Sequence, residues 1–396
     1  MCSMNGPATG QIVIIGGGLA AIRTVEQLRR AKYDGQICIV SNEAHLPYDR
    51  PPLSKQVLSA GRNDVALKPQ KFYEDNGIAL RLSVAAQSLD SDAKTVALSD
   101  GTSIGYDELV IATGLVPKNV PTFSGLAGVH VLRSLDDSLA LRSHATTAKS
   151  AVVVGAGFIG CEVAASLRSL DLPVLMVEPQ QQPLASVLGE RIGALVKRLH
   201  IAHGVRVRTA TGVSGAFGDE RIEHVVLSDQ TRVKTDLVVV GIGSRPSIDW
   251  LADSGVQLGD GILCDHVGRT SAPHVWSLGD VAAWRDSEGH VRVEHWSNVA
   301  EQARVLVPAL LGHDTPPSQV AVRYFWSDQY GLKIQCLGVP HADDAVHIVN
   351  DDGYKFLAFY ERDGSVIAAV GAGNPSAVLG VRSEIADRAP ISTVLG

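Results

Sequence analysis

Residues 12–21 read IVIIGGGLAA, and residues 152–160 read VVVGAGFIG. Each is a run of β-branched residues that breaks into glycines, which predicts a strand that ends in a sharp turn. The residues beyond each turn follow a helical period. Leu19, Ile22, Val25 and Leu28 form one apolar face, and Ile159, Val163, Ala164 and Leu167 form the other. The glycines between strand and helix have separate physical roles. Gly16 and Gly155 allow the turn out of the strand. Gly18 and Gly157 let backbone approach a pyrophosphate, while Ala21 and Gly160 let the helix lie close on the sheet. A phosphate is then held at the helix N-terminus by unpaired N–H groups and the positive end of the dipole. One such pattern is weak. Two in one chain, each between a strand and a helix, predict two dinucleotide sites. Ile159, in the first helical turn, is counted among the second site's contacts.

A second echo supports the first. YDELVIATGLVP (106–117) and KTDLVVVGIGSRP (234–246) share one frame, with Asp107 and Asp236 each seven residues before Gly114 and Gly243. Pro117 and Pro246 each follow their glycine by three residues. Both read as a buried parallel strand, a glycine turn and a proline-marked exit. They predict the points at which the chain crosses between two nucleotide-binding units. Thr113, Gly114 and Gly243 are candidate cofactor contacts.

The second unit shows which nucleotide it takes. The predicted strand Val174–Val177 ends in Glu178. A carboxylate there accepts hydrogen bonds from an adenosine ribose and repels a 2′-phosphate. Residues 180–182 are all glutamine, and no arginine lies between Glu178 and Arg191, so NADH is expected over NADPH. In the first unit the predicted strand Ile37–Val40 leads to Ser41, Asn42 and Glu43. Glu43 is the candidate for the FAD ribose, with Asn42 or a backbone group as alternatives. TSAPHVWSLGDVA (270–282) predicts a strand ending at Gly279-Asp280, followed by apolar residues that can open a helix. Asp280 would accept a ribityl hydroxyl, and the helix N-terminus would face the flavin side of the pyrophosphate.

Composition narrows the class. The chain has 396 residues, 45% hydrophobic and 19% charged, with 39 glycines and a formal net charge of -7. It is a globular α/β chain of two or three domains. Nucleic-acid binding is not expected of it. Cys2, Cys38, Cys161, Cys264 and Cys336 never approach CxxC spacing, so no disulfide framework, zinc site or dithiol centre is expected. The histidines show no HxxxH spacing, and no metal site is predicted. The start, MCSMNGPATG, lacks the pattern of a signal peptide. No stretch reaches the about 20 apolar residues of a membrane span. A cytoplasmic protein is expected.

The chain resembles the FAD-dependent, NADH-oxidising ferredoxin reductases of bacterial oxygenase systems. These include the putidaredoxin, rubredoxin and aromatic-ring dioxygenase reductases. The segments that carry the likeness are GGGLAA (16–21), PYDRPPLSK (47–55), ATG (112–114), LRSLDD (132–137), GAGFIGCE (155–162), RTSAPHVWSLGDVA (269–282), VEHWSNVAEQAR (293–304) and FWSDQYGLKIQ (325–335). The resemblance implies an α/β fold with two Rossmann-like dinucleotide-binding domains, glutathione-reductase-like, plus a C-terminal α+β domain. It implies an FAD domain at 1–115 and 245–320, an NADH domain at 116–244 and a C-terminal domain at 321–396. Arg50, Arg133 and Val281 are further candidate cofactor contacts. LVPK stands where the family often has a pattern like ARPR, so Lys118 replaces an arginine.

The resemblance also implies that Lys55 pairs with Glu162 close to the flavin. A cation there stabilises negative charge on the reduced ring, and the glutamate offsets the cost of burying it. Relatives with a redox cysteine pass two electrons on through sulfur. The loop 51–55 has no cysteine, so electrons are expected to leave singly, to a 2Fe-2S ferredoxin. Trp296 and Trp326 are placed by the resemblance at the flavin edge. Read without it, an aromatic in apolar context is more often core. An acidic ferredoxin needs a locally basic face, for which Arg304, Arg323 and Lys333 are candidates. Two other readings share the architecture: an NADH-dependent sensor like apoptosis-inducing factor, and a thiol-independent NADH oxidase.

Overall fold

The computed structural model describes residues 10–118, 121–123, 125–287, 289–315 and 322–395. Cys2, most of the N-terminal stretch read for a signal peptide, and the 320/321 border lie outside the described residues. In chain order the strands of two parallel sheets are β1 (Gln11–Ile15), β2 (Gln36–Val40), β3 (Ile78–Arg81), β4 (Glu108–Ile111), β5 (Val129–His130), β6 (Ala151–Val154), β7 (Val174–Val177), β8 (Arg206–Arg208), β9 (Leu237–Val240) and β10 (Val275–Ser277). The helices that bear on function are α1 (Leu19–Arg30), α2 (Gln56–Ala60), α3 (Leu135–Ala145), α4 (Phe158–Ser169), α5 (Ala185–Ala202) and α6 (Trp296–Leu310). An antiparallel sheet follows, made of β11 (Tyr324–Gln329), β12 (Leu332–Gly338), β13 (Ala345–Asp351), β14 (Phe356–Arg362) and β15 (Ser365–Ala372).

The chain divides into two compact units. One comprises 1–49, 64–116 and 245–320; the other comprises 50–63, 117–244 and 321–396. In the first, the sheet order is β10-β4-β1-β2-β3, and all its pairings are parallel. Alternation along β1 explains why IVII is apolar throughout. Ile12 and Ile14 pack with α1 and α6 on one face. Val13 and Ile15 pack with Leu89, Val96 and Ile262 on the other.

In the second unit the order is β8-β7-β6-β9-β5, also parallel. Val153 and Met176 share one core with α4, α5 and the antiparallel sheet, including Phe356, Tyr360 and Val370. Val152 and Val154 pack against the three-stranded meander within 213–234. The shared core explains why the C-terminal sheet falls in this unit. Two aspartates repeat one device. Asp107 accepts the N–H of Gln11 at 2.6 Å, at the start of β1. Asp236 accepts the N–H groups of Lys149 and Ser150, just before β6, with its nearest contact at 2.9 Å.

Two expectations are corrected. The residues after Gly279-Asp280 do not open a helix. A turn leads into a strand, Ala282–Asp286, which pairs with Gly261–Cys264 and Gly289–Arg292. Val281, Ala282 and Ala283 are an apolar run too short for periodicity to tell strand from helix; pairing of Ala282 and Ala283 with Ile262 and Leu263 makes their segment a strand. Ile159 is not part of a buried face, being 45% exposed. It precedes the packed part of α4, which is buried from Gly160 to Leu167.

Candidate functional site

The first glycine turn is built as a phosphate cradle. Gly16 has φ +126, and a Cβ there would stand 2.1 Å from the Ala112 carbonyl oxygen. A Cβ on Gly18, in contrast, would meet nothing within 4 Å. Gly18 caps α1 with no side-chain hydrogen bond, and the first turn of the helix holds no acid. The opening N–H groups therefore face space that a pyrophosphate can enter, and the residues fit a dinucleotide. Ala21 is fully buried behind them. Gly279 joins the same place: its N–H donates to Gln302 on α6 at 2.8 Å, and a Cβ on it would lie 3.1 Å from Cβ of Ala20. Asp280 follows, half-buried. Thr113 donates to the Ser247 carbonyl at 2.9 Å, and Ser247 N–H donates to Gly114 O at 3.0 Å. Glu43 accepts the Tyr48 hydroxyl, while Asn42 is exposed.

The second turn repeats the construction. Gly155 has φ +97, and its Cβ would lie 2.4 Å from the Gly241 carbonyl oxygen. Gly157 opens on space, with no side-chain cap on α4. A Cβ on Gly160 would stand 2.1 Å from the Gly155 oxygen, which accounts for the absence of a side chain there. Glu178 accepts Ala156 N–H at 2.7 Å and Gln180 N–H at 2.9 Å, one on each oxygen. Fixed in this way, each oxygen keeps lone-pair capacity for a ribose hydroxyl. Gly243 accepts the N–H of Lys118 at 3.1 Å through its carbonyl.

The loop 50–63 belongs to the second unit. Two prolines open a short 3-10 helix, Pro51–Ser54. Its carbonyls are tied down from α3 and α4: Ser138 donates to Leu53 O at 2.7 Å, and Ser166 to Ser54 O at 2.6 Å. Arg142 donates to Leu58 O on α2 at 3.1 Å. This frame brings together Lys55 and Glu162. Lys55 Nζ lies 2.9 Å from Glu162 Oε1, with side chains 10% and 4% exposed, and it also donates to Pro51 O at 3.1 Å. Glu162 further accepts Ser54 Oγ, Ser327 Oγ at 2.8 Å and Asp328 N–H at 3.3 Å. A buried charge pair needs such added donors to offset desolvation.

Arg50 donates to the Arg133 carbonyl at 2.7 Å. Arg133 precedes α3, whose Ser134–Asp137 capping box satisfies the helix start. Trp296 is 36% exposed. Its Nε1 donates to Asp49 at 2.8 Å, and the Arg23 guanidinium lies 5.7 Å over its ring. Trp326 has the Lys333 ammonium 5.1 Å above its ring. Lys333 also pairs with Asp328 at 3.2 Å, and Arg304 pairs with Glu301. Arg304 is thus paired within its own helix and Lys333 with the adjacent strand.

The described cysteines are all buried and unbridged. Burial pushes the Cys161 thiol up, with Glu162 and Glu178 adding to it. Among the described residues no cluster of three metal-ligating groups occurs, and no helix is long and apolar enough to cross a membrane. Sequence reasoning missed Ser54 and Ser327. Both lie inside the quoted segments PPLSK and FWSDQ, but nothing local marks a hydroxyl's partner.

The family profile described as pyridine nucleotide-disulphide oxidoreductase matches residues 10–303, and the one described as reductase C-terminal matches residues 324–394. A ferredoxin–NAD(P)(+) reductase of Sphingomonas is 36% identical over 366 residues, which is 90% of this chain and 88% of that protein. Rhodocoxin reductase of Rhodococcus erythropolis is 37% identical over 344 residues, 85% of this chain and 80% of that one. Among solved structures, the ferredoxin reductase for the CYP199A2 system from Rhodopseudomonas palustris matches with TM-score 0.91 at 34% identity, covering 96% of this chain and 95% of its own. The covalent putidaredoxin reductase–putidaredoxin complex matches with TM-score 0.92 at 30% identity, covering 98% and 96%.

Proposed function

The chain belongs to the pyridine nucleotide-disulphide oxidoreductase family, and on that footing we propose that it is the reductase of an oxygenase electron-transfer system. It takes electrons from NADH, holds them on FAD and passes them one at a time to a 2Fe-2S ferredoxin. That ferredoxin supplies a haem monooxygenase or a ring-hydroxylating dioxygenase. The observation that carries this reading is the conjunction of two uncapped glycine-turn helices with a buried Lys55–Glu162 pair in a loop without a thiol. The sensor and oxidase readings have no comparable support.

The roles follow from the chemistry of the side chains. Bound FAD supplies the conversion of an electron pair into single electrons. The N–H groups behind Gly16 and Gly18 hold its pyrophosphate, with Ala21, Glu43, Arg50, Thr113, Gly114, Arg133, Gly279, Asp280 and Val281 as proposed further contacts. The turn Gly155–Gly160, with Ile159, Glu178 and Gly243, receives NADH. Lys55 offers the cation that favours negative charge on the flavin, and Glu162 keeps that ammonium in place. Trp296 and Trp326 are proposed for the flavin edge. We further propose the division into an FAD domain (1–115, 245–320), an NADH domain (116–244) and a C-terminal domain (321–396), and a cytoplasmic location.

Stopped-flow mixing of FAD-loaded protein with NADH tests the function. The expected outcome is fast bleaching of the flavin band, then recovery on adding a 2Fe-2S ferredoxin. Bleaching that no ferredoxin reverses would overturn the partner. A protein that takes up no FAD would overturn the whole reading.

A further inference from the structure

One donor to Glu162 opens a longer path. Ser327 on β11 gives its hydroxyl hydrogen to Glu162 Oε1 at 2.8 Å. Gln329, two residues on and on the same strand face, donates Nε2 to Ser327 Oγ at 3.0 Å. A hydroxyl has a single hydrogen, so a Ser327 that accepts from Gln329 keeps its own for the carboxylate. Beyond Gln329 stands His200 on α5, which is fully buried. Its Nδ1 lies 2.7 Å from the Tyr330 hydroxyl. His200 Nε2 and Gln329 Oε1 are both buried without a partner among the described residues. Gln329 nonetheless neighbours that imidazole and favours its proton. The two orphans thus sit on adjoining side chains, held outside ordinary hydrogen-bonding geometry. Buried polar atoms left unpaired are costly, and such a pair calls for a physical account.

We infer that Tyr330, His200, Gln329 and Ser327 form one directed chain of hydrogen bonds ending on Glu162, and that His200, neutral and carrying its hydrogen on Nε2, is a positioning residue for the Lys55–Glu162 pair. Every donor then points the same way. The Tyr330 hydroxyl donates to His200 Nδ1, the Gln329 amide donates to Ser327, and Ser327 donates to Glu162; the inferred link is Nε2–H turned toward Gln329 Oε1, which pairs the two orphans. In the opposite tautomer Nδ1–H could still donate to the Tyr330 hydroxyl oxygen, but a bare Nε2 lone pair would be turned toward the Gln329 carbonyl oxygen, and both atoms would stay unpaired. A protonated ring is disfavoured by its surroundings. Burial pushes the imidazole down to about 4, His203 pushes the same way, and Gln329 opposes them. His203 stacks on the Tyr330 ring at 3.9 Å and 12°, so the far end of the chain is also fixed. All these residues lie in the second unit. The consequence for electron transfer rests on the function proposed above; the hydrogen-bond chain does not.

The tautomer can be read directly by 15N–1H multiple-bond NMR of histidine-labelled, FAD-loaded protein, with the His200 signals assigned by their loss in His200→Gln. The inference expects hydrogen on Nε2 and no titration between about pH 8 and pH 5.5. Hydrogen on Nδ1, or a charged ring at pH 7, would overturn the chain. The positioning role is read from the flavin midpoint potential and the rate of its reduction by NADH. A glutamine at 200 can place its N–H where Nε2–H stands, so His200→Gln is expected to stay near the parent in both. His200→Asn and Ser327→Ala are expected to shift the potential and slow reduction about tenfold, the scale on which supporting partners act elsewhere. Unchanged potential and rate in both would overturn the positioning role while leaving the NMR result standing. Failure to bind FAD would overturn only the proposed function, since the tautomer can be measured on the apoprotein.

Discussion

Ser54 and Ser327 reach Glu162 from opposite sides: Ser54 bonds Oε2 and Ser327 bonds Oε1. With Lys55 and the Asp328 N–H, they leave the carboxylate fully engaged. Glu162→Ala would strand the Lys55 ammonium, which among the described residues would then keep the Pro51 carbonyl. Removing one member of a buried pair typically costs about 3–5 kcal/mol. Urea unfolding should show that loss. The double change Lys55→Met with Glu162→Leu should recover most of it, while NADH still bleaches the flavin slowly. A double variant with parental reduction rate would remove the cation from the mechanism.

Glu178 is held by two backbone N–H groups, so its lone pairs are aimed rather than floppy. Hydrogen bonds to a charged group contribute about 1.5–3 kcal/mol. Glu178→Ala should therefore lower kcat/KM for NADH by about 10- to 100-fold and leave NADPH little changed or improved. Steady-state assays with both nucleotides measure the ratio.

Cys161 is completely buried, and its thiol is pushed up and points to the Ala156 carbonyl. A thiolate is the reactive form, and nothing here favours one. Cys161→Ser should turn over at the parental rate. Alkylating agents should not inhibit the folded protein.

His200 takes up a proton at about 4 in the folded protein, against an ordinary value of 6.5. The unfolded chain binds that proton more readily. The stability this represents is complete above pH 6.5 and is lost as pH falls toward 4. By pH 5 the loss should be roughly 2 kcal/mol. His130 and His144 are also held low and add to the slope with the same sign. Denaturant unfolding at pH 7.5 and pH 5 should show less pH dependence in His200→Gln than in the parent.

What could be read from sequence was whatever depends on near neighbours. Gly16 and Gly155 announce their turns because only glycine suits φ +126 and φ +97 there. Glu178 announces itself by ending a strand. Val281-Ala282-Ala283 misled because a short apolar run serves helix and strand alike. Ile159 misled because an apolar residue in a first turn has no packing obligation. The hydroxyls on Glu162 were invisible for another reason. They come from 108 and 165 residues away in the chain, and only the fold sets that meeting. The same holds for His200, whose partner Tyr330 is 130 residues distant.

The strip 50–63, flanked on both sides by the first unit yet belonging to the second, has a practical consequence. Within the described residues the polypeptide passes between units at 49/50, 63/64, 116/117 and 244/245. No single scission can liberate an intact half. A gene fragment spanning 117–244 alone would lack Lys55 and the prolines that present it. Swapping nucleotide preference by transplanting that module between homologues would thus carry Glu178 across while leaving its amine-bearing strap behind, so chimeras must exchange both stretches together.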